Sequence, residues 1–131
     1  MSLSMTEIVL RDSPELSAPG GHYSHTAQYG GMAFVSGQLP ITSDGTRLVD
    51  EPFSVQAKQV LANLDACLAA AGTGRDRLLS VTVYVTDMGD WPEFDRIYRS
   101  WLGDHRPARA VAGSSTLHFG AKVEVQAIAA G

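Results

Sequence analysis

Two charged residues near the C-terminus sit where a charge needs a partner. Arg109 follows Arg106-Pro107-Ala108 and is succeeded by Ala110-Val111-Ala112. A guanidinium in an otherwise apolar strand must point to something polar, and its rigid fork matches a carboxylate with two parallel hydrogen bonds. The chemistry this suggests is a clamp for a small carboxylate; a structural ion pair is the other reading. Glu124 lies in Lys122-Val123-Glu124-Val125-Gln126, and no other acidic side chain follows Asp104. A charge in mid-strand is costly unless paired or wet. Glu124 is therefore a candidate to hold and activate a water as general base, or else the ion-pair partner of Lys122 or of an arginine on a neighbouring strand.

Other reactive residue types carry weaker signals. His22 and His25, with His118 far along the chain, suggest a metal, but the His22-x-x-His25 spacing has no third ligand nearby. A solvated loop is the expected setting, and no metal is assigned. Tyr23, between the two histidines, can offer a hydroxyl to a ligand or simply pack. Cys67 is the single cysteine, so no intramolecular disulfide forms, and it reads as a small buried hydrophobe rather than a nucleophile. No G-x-G-x-x-G, phosphate loop or G-x-S-x-G occurs, which leaves nucleotide-binding and serine-hydrolase chemistry without support. Only Lys58 and Lys122 are lysines, which narrows Schiff-base chemistry.

With 131 residues the chain makes one domain, 1–131, in which Met1 to Ser4 read as an added leader before a native start at Met5. The formal net charge is −4, which argues against a binder of phosphate backbones. No apolar run reaches the length of a membrane span, and no signal-peptide pattern opens the chain. A reducing, cytoplasmic setting is expected.

The elements that must position these residues follow from periodicity. Thr6 to Arg11 reads as a short strand, Asp12 to Gly21 as turn-rich, and Ala27 to Tyr29 as extended. Gly30-Gly31 makes a hairpin turn into a strand over Met32 to Gln38. That strand puts Phe34, Ser36 and Gln38 on one face and Ala33, Val35 and Gly37 on the other. A helix is expected from about Pro52 to Ala71, with Phe53, Ala57, Val60, Leu61, Leu64, Leu68 and Ala71 as its apolar stripe. Leu79, Val81, Val83 and Val85 alternate with Ser80, Thr82, Tyr84 and Thr86 as a strand. Asp90-Trp91-Pro92-Glu93 reads as a capping box opening a second helix that ends near Gly103. Strands over about Ala108 to Ser114 and Ala121 to Ala129 close the chain. The fold class is α+β, one sheet with two helices on one face. The other face carries Ser36, Thr82, Tyr84, Glu124 and Gln126, a mixed surface suited to sheets of several subunits meeting around wet clefts.

Five segments together resemble the Rid family, the reactive-intermediate or imine deaminases also called the YjgF family. Gly20-Gly21-His22-Tyr23-Ser24 is similar to its Gly-Pro-Tyr-Ser loop, and Phe34-Val35-Ser36-Gly37-Gln38-Leu39-Pro40 to its Val-Ser-Gly-Gln-Ile-Pro strand. Val83-Tyr84-Val85-Thr86-Asp87-Met88, Pro107-Ala108-Arg109 and Lys122 to Ala129 resemble its remaining signatures, so the likeness spans about Pro19 to Ala129. The resemblance implies a chorismate-mutase-like fold with one mixed sheet. It also implies a homotrimer with clefts between subunits, and cofactor-free hydrolysis of 2-imino acids to 2-keto acids and ammonia. It places Arg109 at the carboxylate-binding arginine and Glu124 at the water-holding glutamate. Tyr23, Ser36, Gly37 and Val111 fall at cleft-lining positions. Three residues depart from the family pattern: Val111 stands where the best-known members have Cys, His22 where they have Pro, and Asp95 where Asn is frequent. The segment between Trp101 and Pro107 is also a few residues short. These departures bear on substrate identity. The expected ligand is a small imino or keto acid, with no nucleic-acid or membrane partner. The alternatives are a non-catalytic carboxylate-binding trimer, or a pathway-specific enamine deaminase of the aminomuconate or aminoacrylate type.

Overall fold

The computed structural model describes residues 6–131; the proposed leader Met1 to Ser4 lies outside the described residues. Six strands form one mixed sheet: β1 (Val9–Arg11), β2 (Thr26–Tyr29), β3 (Met32–Gln38), β4 (Leu78–Val85), β5 (Ala108–Gly113) and β6 (Val123–Ala130). Their order across the sheet is β1-β2-β3-β6-β4-β5. Helices α1 (Phe53–Ala70) and α2 (Trp91–Leu102) supply the second layer. All strand pairs are antiparallel except β4 and β5, which run parallel and are joined through α2. The last strand in sequence, β6, sits between β3 and β4, so the C-terminus closes the sheet.

Local chemistry explains these boundaries. Gly30 and Gly31 take φ of 61° and 79°, the left-handed pair that a two-residue hairpin turn requires. Pro52 precedes α1, and Gly72 lies just past its end at φ 77°. Phe53, Ala57, Val60, Leu61, Leu64, Cys67 and Leu68 of α1 are buried against Val81, Val83 and Val85 of β4 and Val123, Val125 and Ala127 of β6. Phe94 and Tyr98 complete this core from α2. Buried polar residues of α1 then pin the long loop that follows β3. Gln56 donates to the carbonyls of Val49 and Glu51 and accepts from the amide of Lys122, while Asn63 donates to the carbonyls of Leu39 and Ile41.

Four local expectations change. Gln38 is buried with Val35 rather than sharing the face of Phe34 and Ser36, because a bulge lies between Val35 and Gln38 in the β3–β6 ladder. A second irregularity, between Leu78 and Ser80, turns Leu78 into the core and leaves Leu79 47% exposed. The first strand is only three residues long. The capping box does not form: Asp90 makes no side-chain cap, and Asp87 instead accepts from the amide of Gly89, opening a short 3-10 turn ahead of α2.

The sheet face away from the helices is more apolar than the alternation suggests. The ladder registers align Leu10, Ala27, Phe34, Ile128, Ser80 and Ala108 as one row across all six strands. Leu10 and Phe34 are 62% and 41% exposed. Large apolar side chains exposed on one sheet face make it a candidate interaction surface.

Leu64 is fully buried in the helix–sheet core. Leu64→Ala should lower the free energy of unfolding by about 2–5 kcal/mol, through lost burial and the cavity left behind. Urea denaturation measures this.

Candidate functional site

The β3 bulge brings Gly37 against Glu124. A Cβ on residue 37 would collide with Oε2 of Glu124 and come within 3.1 Å of its Cδ. Only glycine leaves the carboxylate its place. Glu124 is half-buried on the open sheet face, directly across from Tyr84. Burial pushes its carboxyl above the usual value of 4.5, while the nearby His118 pulls it down. A carboxylate with raised proton affinity at a partly exposed position is suited to accept a proton from water.

Ser36 joins this bulge to the preceding loop. Its hydroxyl donates to the Ser24 carbonyl at 2.6 Å and its amide to the His25 carbonyl at 3.0 Å. Tyr23 is 51% exposed, and its hydroxyl accepts from the Gly20 amide at 3.4 Å. Tyr23 and Gly37 line a cavity of about 420 Å³, together with Leu39, Arg47, His118 and Phe119.

His25 is buried rather than part of a solvated loop. Its Nδ1 accepts from the Ser13 amide at 2.9 Å, and its backbone amide donates to Asp12 at 3.0 Å. His22 is exposed. Among the described residues no three His, Cys, Asp or Glu side chains gather in a way that could hold a metal ion. Cys67 is fully buried and its thiol is pushed up to about 12 by burial, so it stays protonated at neutral pH and offers no thiolate.

Arg109 and Val111 lie elsewhere. Their partners in the parallel ladder are Val81 and Val83, which places both on the helix-facing side of the edge strand β5, whereas Glu124 is on the opposite face. Val111 packs against the core. Arg109 donates to Oδ1 of Asp95 at 2.8 Å, and the other carboxylate oxygen of Asp95 accepts from Arg99 at 2.8 Å. The hydrogen bond from Arg109, with that from Arg99, holds the Asp95 carboxyl below its ordinary value. The rings of Trp91 and Tyr98 each lie 4.9 Å from the guanidinium carbon. The ion-pair reading of Arg109 is therefore what a single chain contains. Arg109 also lines a cleft of about 720 Å³ with Asp95, Tyr98 and Pro107.

One chain thus brings Tyr23, Ser36, Gly37 and Glu124 together and keeps Arg109 and Val111 apart from them. Sequence reasoning missed Arg47, Phe119 and the aromatic bracket of Trp91 and Tyr98. The helical spacing of Tyr98 and the position of Asp95 four residues before Arg99 were legible signals for the bracket; nothing in sequence announced Arg47.

The raised carboxyl of Glu124 has a consequence for stability. A group with a raised folded-state value stabilises the fold fully below pH 4.5, and that contribution is lost as the pH rises through the higher folded value. Glu124→Gln, a permanently neutral mimic, should melt above the wild type at pH 7. The difference should vanish as the pH falls below 4.5. Melting curves across that range test it.

Comparison with known proteins covers the chain almost end to end. Protein HMF1 of Saccharomyces cerevisiae is 31% identical over 130 residues, 99% of this chain and 98% of its own. A solved structure of YyfA from Yersinia pestis, described as a protein of unknown function of the conserved Rid protein family, superposes with a TM-score of 0.91. It is 31% identical and covers 95% of this chain and all (100%) of its own. The structure of TdcF from E. coli with bound serine matches at a TM-score of 0.87 and 26% identity, over 94% of this chain and 98% of its own. Residues 14–131 fit the family model described as Endoribonuclease L-PSP. A six-stranded mixed sheet backed by two helices, these relatives and that model agree, and the chain belongs to the Endoribonuclease L-PSP family, also known as the YjgF or Rid family.

Proposed function

We propose that the protein hydrolyses 2-imino acids, or the enamines they tautomerise with, to 2-keto acids and ammonia without a cofactor. The observation that carries this reading is Glu124, a half-buried carboxylate of raised proton affinity, fitted against Gly37 beside a cavity that Tyr23 lines. Family membership supports the class of reaction. The family description names an endoribonuclease, but a net charge of −4 gives a phosphate backbone little to bind.

In this mechanism Glu124 orients a water and takes its proton as the oxygen bonds to C2. The C=N π pair moves onto nitrogen, which receives the proton that Glu124 took from water. The tetrahedral carbinolamine then collapses: Glu124 takes the hydroxyl proton and returns it to the amino nitrogen, the C2–N bond breaks as the carbonyl forms, and ammonia departs. Tyr23 or Ser36 contacts the nitrogen or the water. Arg109 fixes the substrate carboxylate, which supplies orientation. Its bond to Asp95 occupies Nη1, and the remaining donors of the fork are available to a ligand in the adjoining cleft. Val111, two residues further along β5, packs against the core.

Arg109 and Glu124 lie on opposite faces of one sheet, so the reading requires two copies of the chain to complete one site. We assign a homotrimer in which Arg109 of one subunit faces Glu124 and Tyr23 of the next. The exposed row through Leu10, Phe34 and Ile128 is the surface available for assembly. A buried, free Cys67 fits a reducing compartment, and we place the protein in the cytoplasm. Among the described residues no helix is long and apolar enough to cross a membrane.

Light scattering at micromolar concentration should give about three times the 14.0 kDa chain mass; a mass near one chain would remove the shared site. Ammonia release from an imine generated in situ by an amino-acid oxidase should be accelerated by the protein. Glu124→Gln should lower that turnover by roughly 10²-fold or more while 2-keto acid affinity changes little. Arg109→Ala should abolish measurable 2-keto acid binding in calorimetric titration, and Arg109→Lys should restore part, since a point charge does not reproduce the fork. Binding with no acceleration of ammonia release would mark a carboxylate-binding protein instead.

A further inference from the structure

The cavity beside Glu124 contains a cation that the proposed reaction does not use. Arg47 lies in the loop after β3, where it forms an isolated bridge with Ile41, and its guanidinium carbon sits 3.6 Å from the centre of the Phe119 ring. A cation over the face of a ring is attracted by the ring itself, a contact that uses none of the guanidinium's N–H donors as hydrogen bonds to a carboxylate would. Among the described residues Arg47 makes no ion pair and no side-chain hydrogen bond. Its charge is held in place and its donors are unspent.

The platform beneath it is unusual. Phe119 has φ of 63° and ψ of 8°, the left-handed region, and is the only described residue other than glycine there. A bulky residue in that conformation is strained and is maintained only where its surroundings enforce it; such strain gathers at functional sites. His118, next to it, lines the same cavity and acts electrostatically on Glu124. Leu39 and Ile41 give the cavity apolar lining, Gln38 and Asn63 line it beside them, and no acidic residue lines it. A short aliphatic chain fits this apolar lining, with an anion at its far end.

We propose that Arg47, stacked on Phe119, recognises a second carboxylate at the end of the substrate side chain, so that the preferred substrates are dicarboxylic 2-imino acids yielding 2-oxo dicarboxylic acids. The first carboxylate goes to Arg109, the reacting carbon to Glu124, and the distal carboxylate to Arg47. This rests on the deaminase reading above and names its substrate class.

The test is calorimetric titration of 2-oxoglutarate and of 2-oxobutyrate into the native protein and into Arg47→Ala and Arg47→Lys. Ammonia release from the imines of glutamate and of 2-aminobutyrate is measured alongside. The native protein should bind 2-oxoglutarate at least tenfold more tightly than 2-oxobutyrate and show the same preference in imine turnover. Arg47→Ala should bring the ratio of the two affinities near one, and Arg47→Lys should leave it in between. Because Arg47 is exposed, melting temperatures of both variants should match the native protein. Equal affinities in the native protein, or a preference that survives Arg47→Ala, would overturn this inference alone while monocarboxylate turnover still upheld the deaminase reading. Loss of 2-oxobutyrate binding in Arg47→Ala as large as that of 2-oxoglutarate would make Arg47 the primary carboxylate site and would also overturn it. Failure of both acids to bind, with no ammonia release, would overturn the two readings together.

Discussion

The candidate site depends on a steric exclusion. The carboxylate of Glu124 occupies the space that a side chain at residue 37 would need. The β3 bulge, the absence of a Cβ at Gly37 and the outward alternation of β6 are all required for Glu124 to lie between two strands, half-covered yet reachable. Partial burial then raises its proton affinity, and His118 limits the rise. The same bulge turns Gln38 inward, where its side chain donates to the Ser36 carbonyl, and lets Ser36 bond to the loop bearing Tyr23. One irregularity in a ladder therefore sets the position of four neighbouring groups.

The helices contribute at a distance. Gln56 and Asn63 are polar residues buried in α1, a placement that costs free energy unless every donor finds an acceptor. Each amide donates twice to carbonyls of the loop between β3 and α1. The loop is also tied internally, the Leu48 amide donating to the Pro40 carbonyl and the Thr42 amide to the Thr46 carbonyl, and it carries Arg47 to the Phe119 ring. The polar interior of α1 and the composition of the cavity are thus linked through backbone carbonyls.

On the other face, Arg109 is bracketed by Trp91 and Tyr98 and tied to Asp95, which Arg99 also holds. A neutral amide at position 95 would leave the guanidinium with its full charge; the aspartate tempers it. Clamp and ion pair are therefore compatible roles, since a guanidinium has more donors than one carboxylate can use. What a single chain lacks is proximity between this group and Glu124, because the sheet itself lies between them.

The sequence alone determined the element order, the two-helix layer, the burial of Cys67 and the family, because apolar periodicity and contiguous motifs are local properties of a chain. It also singled out Arg109 and Glu124, since a charge within an apolar strand is conspicuous wherever the strand goes. Tertiary structure decided the rest. The two bulges that reversed Gln38 and Leu79 arise from mismatched ladders between strands far apart in sequence. The cap supplied by Asp87 in place of Asp90 depends on a 3-10 turn that the spacing of residues does not reveal. The separation of Arg109 from Glu124 follows from β5 adding at the edge in parallel with β4, which sets the face of every residue on it. Arg47 and Phe119 are 72 residues apart by their numbering, and no periodicity connects them; only the folded loop and a left-handed backbone at Phe119 make them neighbours.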